Sequence, residues 1–311
     1  MPKQLFIKKE ATGVLGKHPS ERTPGELINS GIVNIDKNRG PTSHQVSAYV
    51  QGILGIKKAG HSGTLDPQVT GVQPIGLEKA TRITEFLLTA PKEYVGIMHL
   101  HKPVEEITLR EAVHNFIGKI RQLPPIKSAV KRELRTREIY EFELLEIKNQ
   151  DVLFRVKCQA GTYIRVLCHN LGQELKIGAH MAELRRTQAG PFTEKDNLVT
   201  LNDLDDAYHF YLEEHNDKFL RYCLQPIENA LKYVAKCWIL DTAIVSVTHG
   251  RDLAIPGVCK LENFRKGEAV AIMSLKDELV AIGEAQMSAV EINTQERGIA
   301  IKVKKVLMEA G

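Results

Sequence analysis

Asp66 lies in the string Gly60-His61-Ser62-Gly63-Thr64-Leu65-Asp66-Pro67, a single carboxylate in a glycine-flanked turn with a histidine upstream. Gly60 and Gly63 allow a ligand to approach the backbone, and Pro67 keeps Asp66 out of helical geometry, so the carboxylate is expected on an extended loop. A carboxylate presented in this way can attack an electrophilic carbon or accept a proton. The competing reading is a plain turn residue, because Asp-Pro is a common turn dipeptide and Asp often bonds its own backbone there. No metal-ligand spacing lies nearby. A hydrolase with Asp66 as covalent nucleophile is chemically conceivable, but no second carboxylate or histidine base takes a supporting position.

The elements that must position this loop follow from hydrophobic spacing. Ser43 reads as a helix N-cap, with Val46, Val50, Ile53 and Leu54 recurring at helical intervals. A second helix is expected over Lys79 to Thr89, then an alternating strand from Tyr94 to Leu100. Thr108 and Glu111 have capping-box spacing for a helix that Gly118 would close. Beyond Pro124-Pro125 the spacing predicts strands at Tyr140 to Ile147 and Val152 to Gln159, then a helix from Tyr163 to Leu175. For Arg186, in Leu184-Arg185-Arg186-Thr187, the plain alternative to a functional role is a charged helix end meeting a turn. Strands in runs, without a repeated strand-helix-strand unit, predict an α+β fold with a mainly antiparallel mixed sheet. No Gly-x-Gly-x-x-Gly or Walker-type loop points to a nucleotide cofactor.

Three segments are expected: an arm over residues 1–29 with little periodicity, a main domain over 30–229, and a small β module, expected to be a barrel, over 230–311. The arm is expected to pack on the β module. With 311 residues, 43% hydrophobic and 26% charged, the chain can bury two cores. It carries no apolar run long enough to span a membrane and no signal-peptide core at its start, which predicts an intracellular protein. Five scattered cysteines form no Cys-x-x-Cys pair, and they read as buried thiols rather than as disulfides or a zinc site. The net charge of +4 is modest, but Lys127, Lys131, Arg132, Arg135 and Arg137 crowd one segment while acids gather between Asp203 and Asp217.

Gly-His-x-Gly-Thr-Leu-Asp-Pro resembles the signature of the TruB-type pseudouridine synthases. The likeness runs from about Gly31 to Lys305 and is strongest to the guide-RNA-dependent, dyskerin-like branch found in archaea and eukaryotes. Gly161-Thr162-Tyr163-Ile164-Arg165 is similar to that family's second active-site motif, and Leu184-Arg185-Arg186-Thr187 with Gly190-Pro191-Phe192 to its third. Trp238-Ile239-Leu240-Asp241, Val247 to Leu253 and Pro256-Gly257-Val258 resemble a PUA domain, an RNA-binding module. Two positions depart from the pattern: Asn38 stands where Pro is usual, and Gln73 replaces an apolar residue behind the Asp66 loop.

The resemblance implies isomerisation of uridine to pseudouridine in ribosomal or transfer RNA, with neither metal nor coenzyme. It implies Asp66 as nucleophile, Arg165 as its cationic partner, Tyr94 stacked on the flipped base, and Tyr163 flanking the pocket and assisting proton removal. Leu184 would form an apolar wall. His61, Thr64 and Leu65 would face the nucleotide, and Lys131, Arg132 and Arg186 the RNA backbone. The implied partners are a box H/ACA guide RNA, a small Nop-type protein, a Gar-type protein and a kink-turn binder of ribosomal-protein type, with no membrane and no homo-oligomer required. The short connection over residues 126–138 favours guidance over a stand-alone tRNA enzyme. Retention of Asp66, Tyr94, Tyr163 and Arg165 together speaks against a non-catalytic RNA scaffold. Without the Lys-rich tails usual in eukaryotic members, an archaeal, cytoplasmic protein is expected, or a nucleolar one if eukaryotic.

Overall fold

The computed structural model describes residues 4–125 and 131–309. The chain divides into two compact units: residues 33–75 with 83–223, and residues 1–32 with 76–82 and 224–311.

The first unit is built on a mixed sheet. Its principal strands run in the order Leu198–Val199, Gly31–Lys37, Thr70–Leu77, Ala179–Ala189, Lys92–Leu100, Asp151–Cys158, Arg135–Lys148, Gly118–Gln122. The four pairings from Ala179–Ala189 to Gly118–Gln122 include only antiparallel ones, whereas Thr70–Leu77 runs parallel to Ala179–Ala189. Alternation explains why these segments are strands. Val152, Phe154, Val156 and Cys158 all face inward, against Leu167, Cys168 and Leu171 of the helix Ile164–Glu174.

Several expectations shift at the ends of elements. The helix Ser43–Leu54 forms as expected, but its cap is Thr42, paired with Gln45 in a capping box, which leaves Ser43 inside. The helix expected to be capped by Thr108 begins at Glu106 instead, no side chain caps it, and Gly118 (φ +100°) opens a strand rather than closing the helix. Lys79 to Thr89 divides into a 3-10 turn over Glu78–Ile83 and a short α-helix over Thr84–Thr89. Leu184 to Thr187 is mid-strand, because Leu184 and Arg186 alternate inward with Arg185 less buried. The basic segment expected to begin at Lys127 lies outside the described residues as far as Val130.

The second unit carries a seven-stranded sheet ordered Leu5–Ile7, Val258–Glu262, Ala235–Ile239, Ala269–Met273, Leu279–Ala285, Ile299–Val306, Leu253–Ala254. Its two end strands do not pair with each other among the described residues. The module is therefore an open sheet, not the closed small barrel expected from turn spacing. Cys237, Ile239, Leu261, Val270, Ile272, Val280 and Ile301 fill its core. Residues 4–29 are more structured than an arm without periodicity. Leu5–Ile7 pairs antiparallel with Val258–Glu262, and Pro24–Ser30 is a helix opened by a Thr23–Glu26 capping box. Arg22 is buried in a bidentate pair with Glu228, at 2.7 Å to each oxygen, and reaches Glu278 at 3.3 Å.

Candidate active site

Asp66 emerges between the strands Ala59–His61 and Thr70–Leu77 with 47% of its side chain exposed. The loop is held from behind by a buried polar network that sequence reasoning missed. The Leu65 N–H donates to Ser43 Oγ at 2.8 Å, the Ser43 hydroxyl lies 3.0 Å from Gln73 Oε1, and Gln73 Nε2 donates to the Ser43 carbonyl at 3.2 Å. Gln73, polar where an apolar residue was expected, is fully buried and satisfied by this arrangement. Val69 N–H closes the turn onto the Asp66 carbonyl at 2.9 Å.

Arg165 forms an ion pair with Asp66, Nη2 to Oδ2. The apolar face of its helix explains the direction of the side chain. Ile164, Leu167, Cys168 and Leu171 point into the core at helical spacing, and Arg165 on the other face is 51% exposed. Tyr163 is the N-cap of this helix, and its backbone is clamped by Gln122, whose Oε1 accepts from Tyr163 N at 3.0 Å while Nε2 donates to Tyr163 O at 3.2 Å. Gln122 is a second buried polar residue with no signal in the sequence.

Tyr94 and Leu184 belong to neighbouring strands. Tyr94 pairs with Arg186 and Gly96 with Leu184. A Cβ on Gly96 would stand 2.8 Å from Leu184 Cδ1, so the glycine makes room for that side chain. Tyr94 is half-buried with its hydroxyl near Arg186, and burial pushes its ionisation upward.

Arg186, expected at an RNA backbone, is only 1% exposed and cannot take that role. Its Nε donates to the Val72 carbonyl at 2.7 Å, and its two terminal nitrogens donate to the Gly63 carbonyl at 3.3 and 3.4 Å. Gly63 turns its carbonyl toward this guanidinium with φ +131°, a conformation that a side chain would oppose. Gly71 is required for a different reason: a Cβ there would lie 2.2 Å from the Arg186 carbonyl oxygen.

Two further cations are buried around the same loop. Lys37 Nζ donates to the carbonyls of Asn38, Pro67 and Val69 at 2.9, 3.2 and 2.8 Å. Lys92 Nζ donates to those of Leu87, Leu88 and Ala90 at the end of the helix Thr84–Thr89, at 2.5, 3.1 and 2.7 Å. Burial lowers both ammonium groups, with Arg186 adding to the effect, and brings Lys92 to about 7. Among the described residues, none of the ion pairs includes Lys37, Lys92 or Arg186.

His61 is half-buried, with its Nδ1 accepting from Gly63 N–H at 3.3 Å and its ring edge-on to His44 at 4.8 Å. Desolvation, then His44 and Arg186, push this imidazole toward its neutral form. Thr64 is exposed, but the Leu65 side chain packs into the core, so only its backbone can face a ligand. Lys131 and Arg132 are exposed, Lys131 pairs with Glu133, and none of the described contacts links either to Asp66.

The sequence matches family models along nearly its whole length. Residues 51–164 match the TruB family pseudouridylate synthase (N terminal domain), residues 165–232 the tRNA pseudouridylate synthase B C-terminal domain, residues 235–307 the PUA domain and residues 3–47 the DKCLD (NUC011) domain. A probable tRNA pseudouridine synthase B of Methanothermobacter thermautotrophicus is 52% identical over 98% of this chain and 95% of its own length. The like-named protein of Thermococcus kodakarensis is 54% identical over 98% and 92%. Among solved structures, a chain of a Cbf5-Nop10-Gar1 complex superposes with a TM-score of 0.95 at 49% identity, covering 100% of this chain and 95% of that one. A chain of an H/ACA RNP bound to a substrate RNA containing 2'-deoxyuridine gives 0.93 at 47%, covering 100% and 96%. Since the match extends through both halves of the synthase region and the curated relatives share over half of its residues, the chain belongs to the TruB family of pseudouridylate synthases.

Proposed function

We propose that the chain isomerises uridine to pseudouridine in RNA as the catalytic subunit of an H/ACA guide ribonucleoprotein. The observation that carries this reading is the ion pair of Asp66 and Arg165 on a loop whose backbone is anchored to the core through Leu65 and Ser43. The reaction conserves every atom. The N1–C1′ bond breaks, the base turns, C5 bonds to C1′, the C5 proton leaves and N1 gains one.

Asp66 attacks C1′ or C6, and Arg165 holds the carboxylate in its attacking orientation. Tyr94 stacks on the base, which is worth about 1 to 3 kcal/mol and offsets much of the cost of unstacking it. Tyr163 flanks the base and assists removal of the C5 proton. Leu184 forms the apolar wall, with Thr64, the Leu65 backbone and His61 beside the nucleotide. Lys131 and Arg132 contact RNA phosphates. The buried charges of Lys37 and Arg186 add a positive field under the site.

Guidance and partners rest on the solved relatives, one a Cbf5-Nop10-Gar1 complex and the other an H/ACA RNP bound to a substrate RNA. A guide RNA and a kink-turn-binding protein complete the proposed assembly. The curated relatives' name, probable tRNA pseudouridine synthase B, supports transfer RNA as a second substrate. We assign residues 30–229 to catalysis and 230–311, with the arm of residues 1–29, to RNA anchoring by a PUA-type module. The grouping of 1–32 with 224–311 supports this division. No helix among the described residues is long and apolar enough to cross a membrane, and the relatives are archaeal, which supports an archaeal cytoplasmic setting.

The test is site-specific pseudouridine mapping with the assembled particle. Exchanging the guide's pairing segments should move modification to a new uridine with the protein unchanged. Modification that ignores both guides would favour the stand-alone tRNA reading.

A further inference from the structure

The strand Lys92–Leu100 begins beside the site, near Tyr94, and ends at a group of histidines that the proposed reaction does not use. His99 stands opposite His180 on one neighbouring strand and opposite Asp151 on the other. His101 follows two residues later, with its backbone N–H on the Gly178 carbonyl at 3.0 Å. The three rings face one another. Their centroids are 5.3 Å apart for His99–His180, 5.2 Å for His101–His180 and 6.4 Å for His99–His101.

We propose that His99, His101 and His180 form a surface site for one divalent transition-metal ion of the zinc type, with Asp151 orienting His99.

Three imidazoles around a tetrahedral ion, bonded at about 2.0–2.1 Å, place their nitrogens about 3.3 Å apart and their ring centroids about 5 Å apart. His101 Nε2 and His180 Nδ1 are already 2.9 Å apart, and two of the three centroid separations match. The third is longer by roughly 1 Å, within reach of a ring rotation at the end of a strand. Without an ion, His101 and His180 share a hydrogen bond, and among the described residues no three side chains already stand as a ligand set. An ion would replace that shared proton.

The Asp151 carboxylate bonds His99 Nδ1 at 2.7 Å, which fixes the tautomer and leaves Nε2 as the free ligating atom, the arrangement found behind metal-bound histidines. A nitrogen-only donor set selects zinc, cobalt, nickel or copper over magnesium or calcium. Sequence spacing cannot show this group, since strand register brings its members together across about 80 residues. The bound ion would tie the end of Lys92–Leu100 to the start of Ala179–Ala189.

The experiment uses untagged full-length protein stripped with chelator, then titrated with cobalt(II) followed by visible absorption and with zinc(II) by calorimetry. One ion per chain with nitrogen-type bands is expected, along with a rise in Tm on zinc addition. His101→Ala and His180→Ala should each weaken binding by about tenfold or more and abolish the Tm shift, and Asp151→Asn should weaken it about 10–100-fold. In the wild type, mapped carbethoxylation should show zinc protecting these three histidines, a readout that needs no variant. Absence of saturable binding, unchanged binding in the variants, or thiolate bands that put the ion on a cysteine would each overturn the proposal.

Discussion

The backbone N–H of Leu65 donates to the hydroxyl of Ser43 at 2.8 Å, one residue before Asp66. The helix Ser43–Leu54 thereby fixes the height of the loop, because Ser43 is at its first turn and faces inward. Ser43→Ala would leave the Leu65 N–H and part of Gln73 unsatisfied in the core, costing about 1 to 3 kcal/mol. Denaturant unfolding should show that loss, and single-turnover assays should show a slower chemical step with nearly unchanged RNA affinity. Wild-type turnover in this variant would remove Ser43 as a positioning residue.

Asp66→Asn keeps the size of the side chain and removes the nucleophile. Activity should fall below a few per cent of wild type while RNA affinity holds, as read by pseudouridine mapping beside a binding titration. Higher turnover would reduce Asp66 to a turn residue.

Arg165→Lys keeps the charge but loses the planar fork, so activity is expected to drop at least about tenfold. Because Arg165 is half exposed, thermal stability should change little. A variant that is inactive because it melts would contradict this assignment.

At Tyr94, Phe and Leu separate two functions of one side chain. Tyr94→Phe keeps a ring for stacking but removes a hydroxyl lying near buried Arg186, so stability should fall by about 1 kcal/mol while much of the activity stays. Tyr94→Leu should lose both. Equal activity in the two variants would take the ring out of the pocket.

Lys92 carries a pH dependence whose sign follows from its burial. Its folded value, about 7, lies below the ordinary 10.5, so between these limits the unfolded chain binds more protons than the native one. Stability contributed by this group therefore rises with pH from about 7 to 10.5. Relative to Lys92→Met, the wild type should gain stability between pH 7 and pH 10 in urea unfolding. A constant difference across that range would mean that the ammonium stays charged.

The legible parts of this molecule are those in which side-chain type and spacing coincide. Asp66, Arg165, Tyr94 and Tyr163 lie in short motifs, and the structure joins Asp66 to Arg165 across 99 residues. The alternation of Val152, Phe154, Val156 and Cys158 marks a half-buried strand without ambiguity. The polar residues inside escape such reading. Ser43, Gln73, Gln122, Lys37 and Lys92 are of types usually found on surfaces, and only tertiary partners justify burying them. Arg186 misleads for the same reason, since an Arg-Arg pair suggests phosphate binding until the strand turns one of the two inward. The open form of the second sheet is equally hidden, because turn spacing counts strands without stating whether the first pairs with the last.

Burial of Arg186 and Lys37 has a consequence for how this protein responds to salt. Cations at the surface hold a counterion atmosphere of their own and compete with ions in solution for RNA phosphates, so affinity that depends on them falls as ionic strength rises. Charges held beneath the surface, Arg186 and Lys37 first among them, release no counterions on complex formation, and mobile ions screen their field far less. Binding and chemistry should then diverge as salt is added: the particle lets go of its RNA more readily, whereas uridines already seated convert at an almost constant rate.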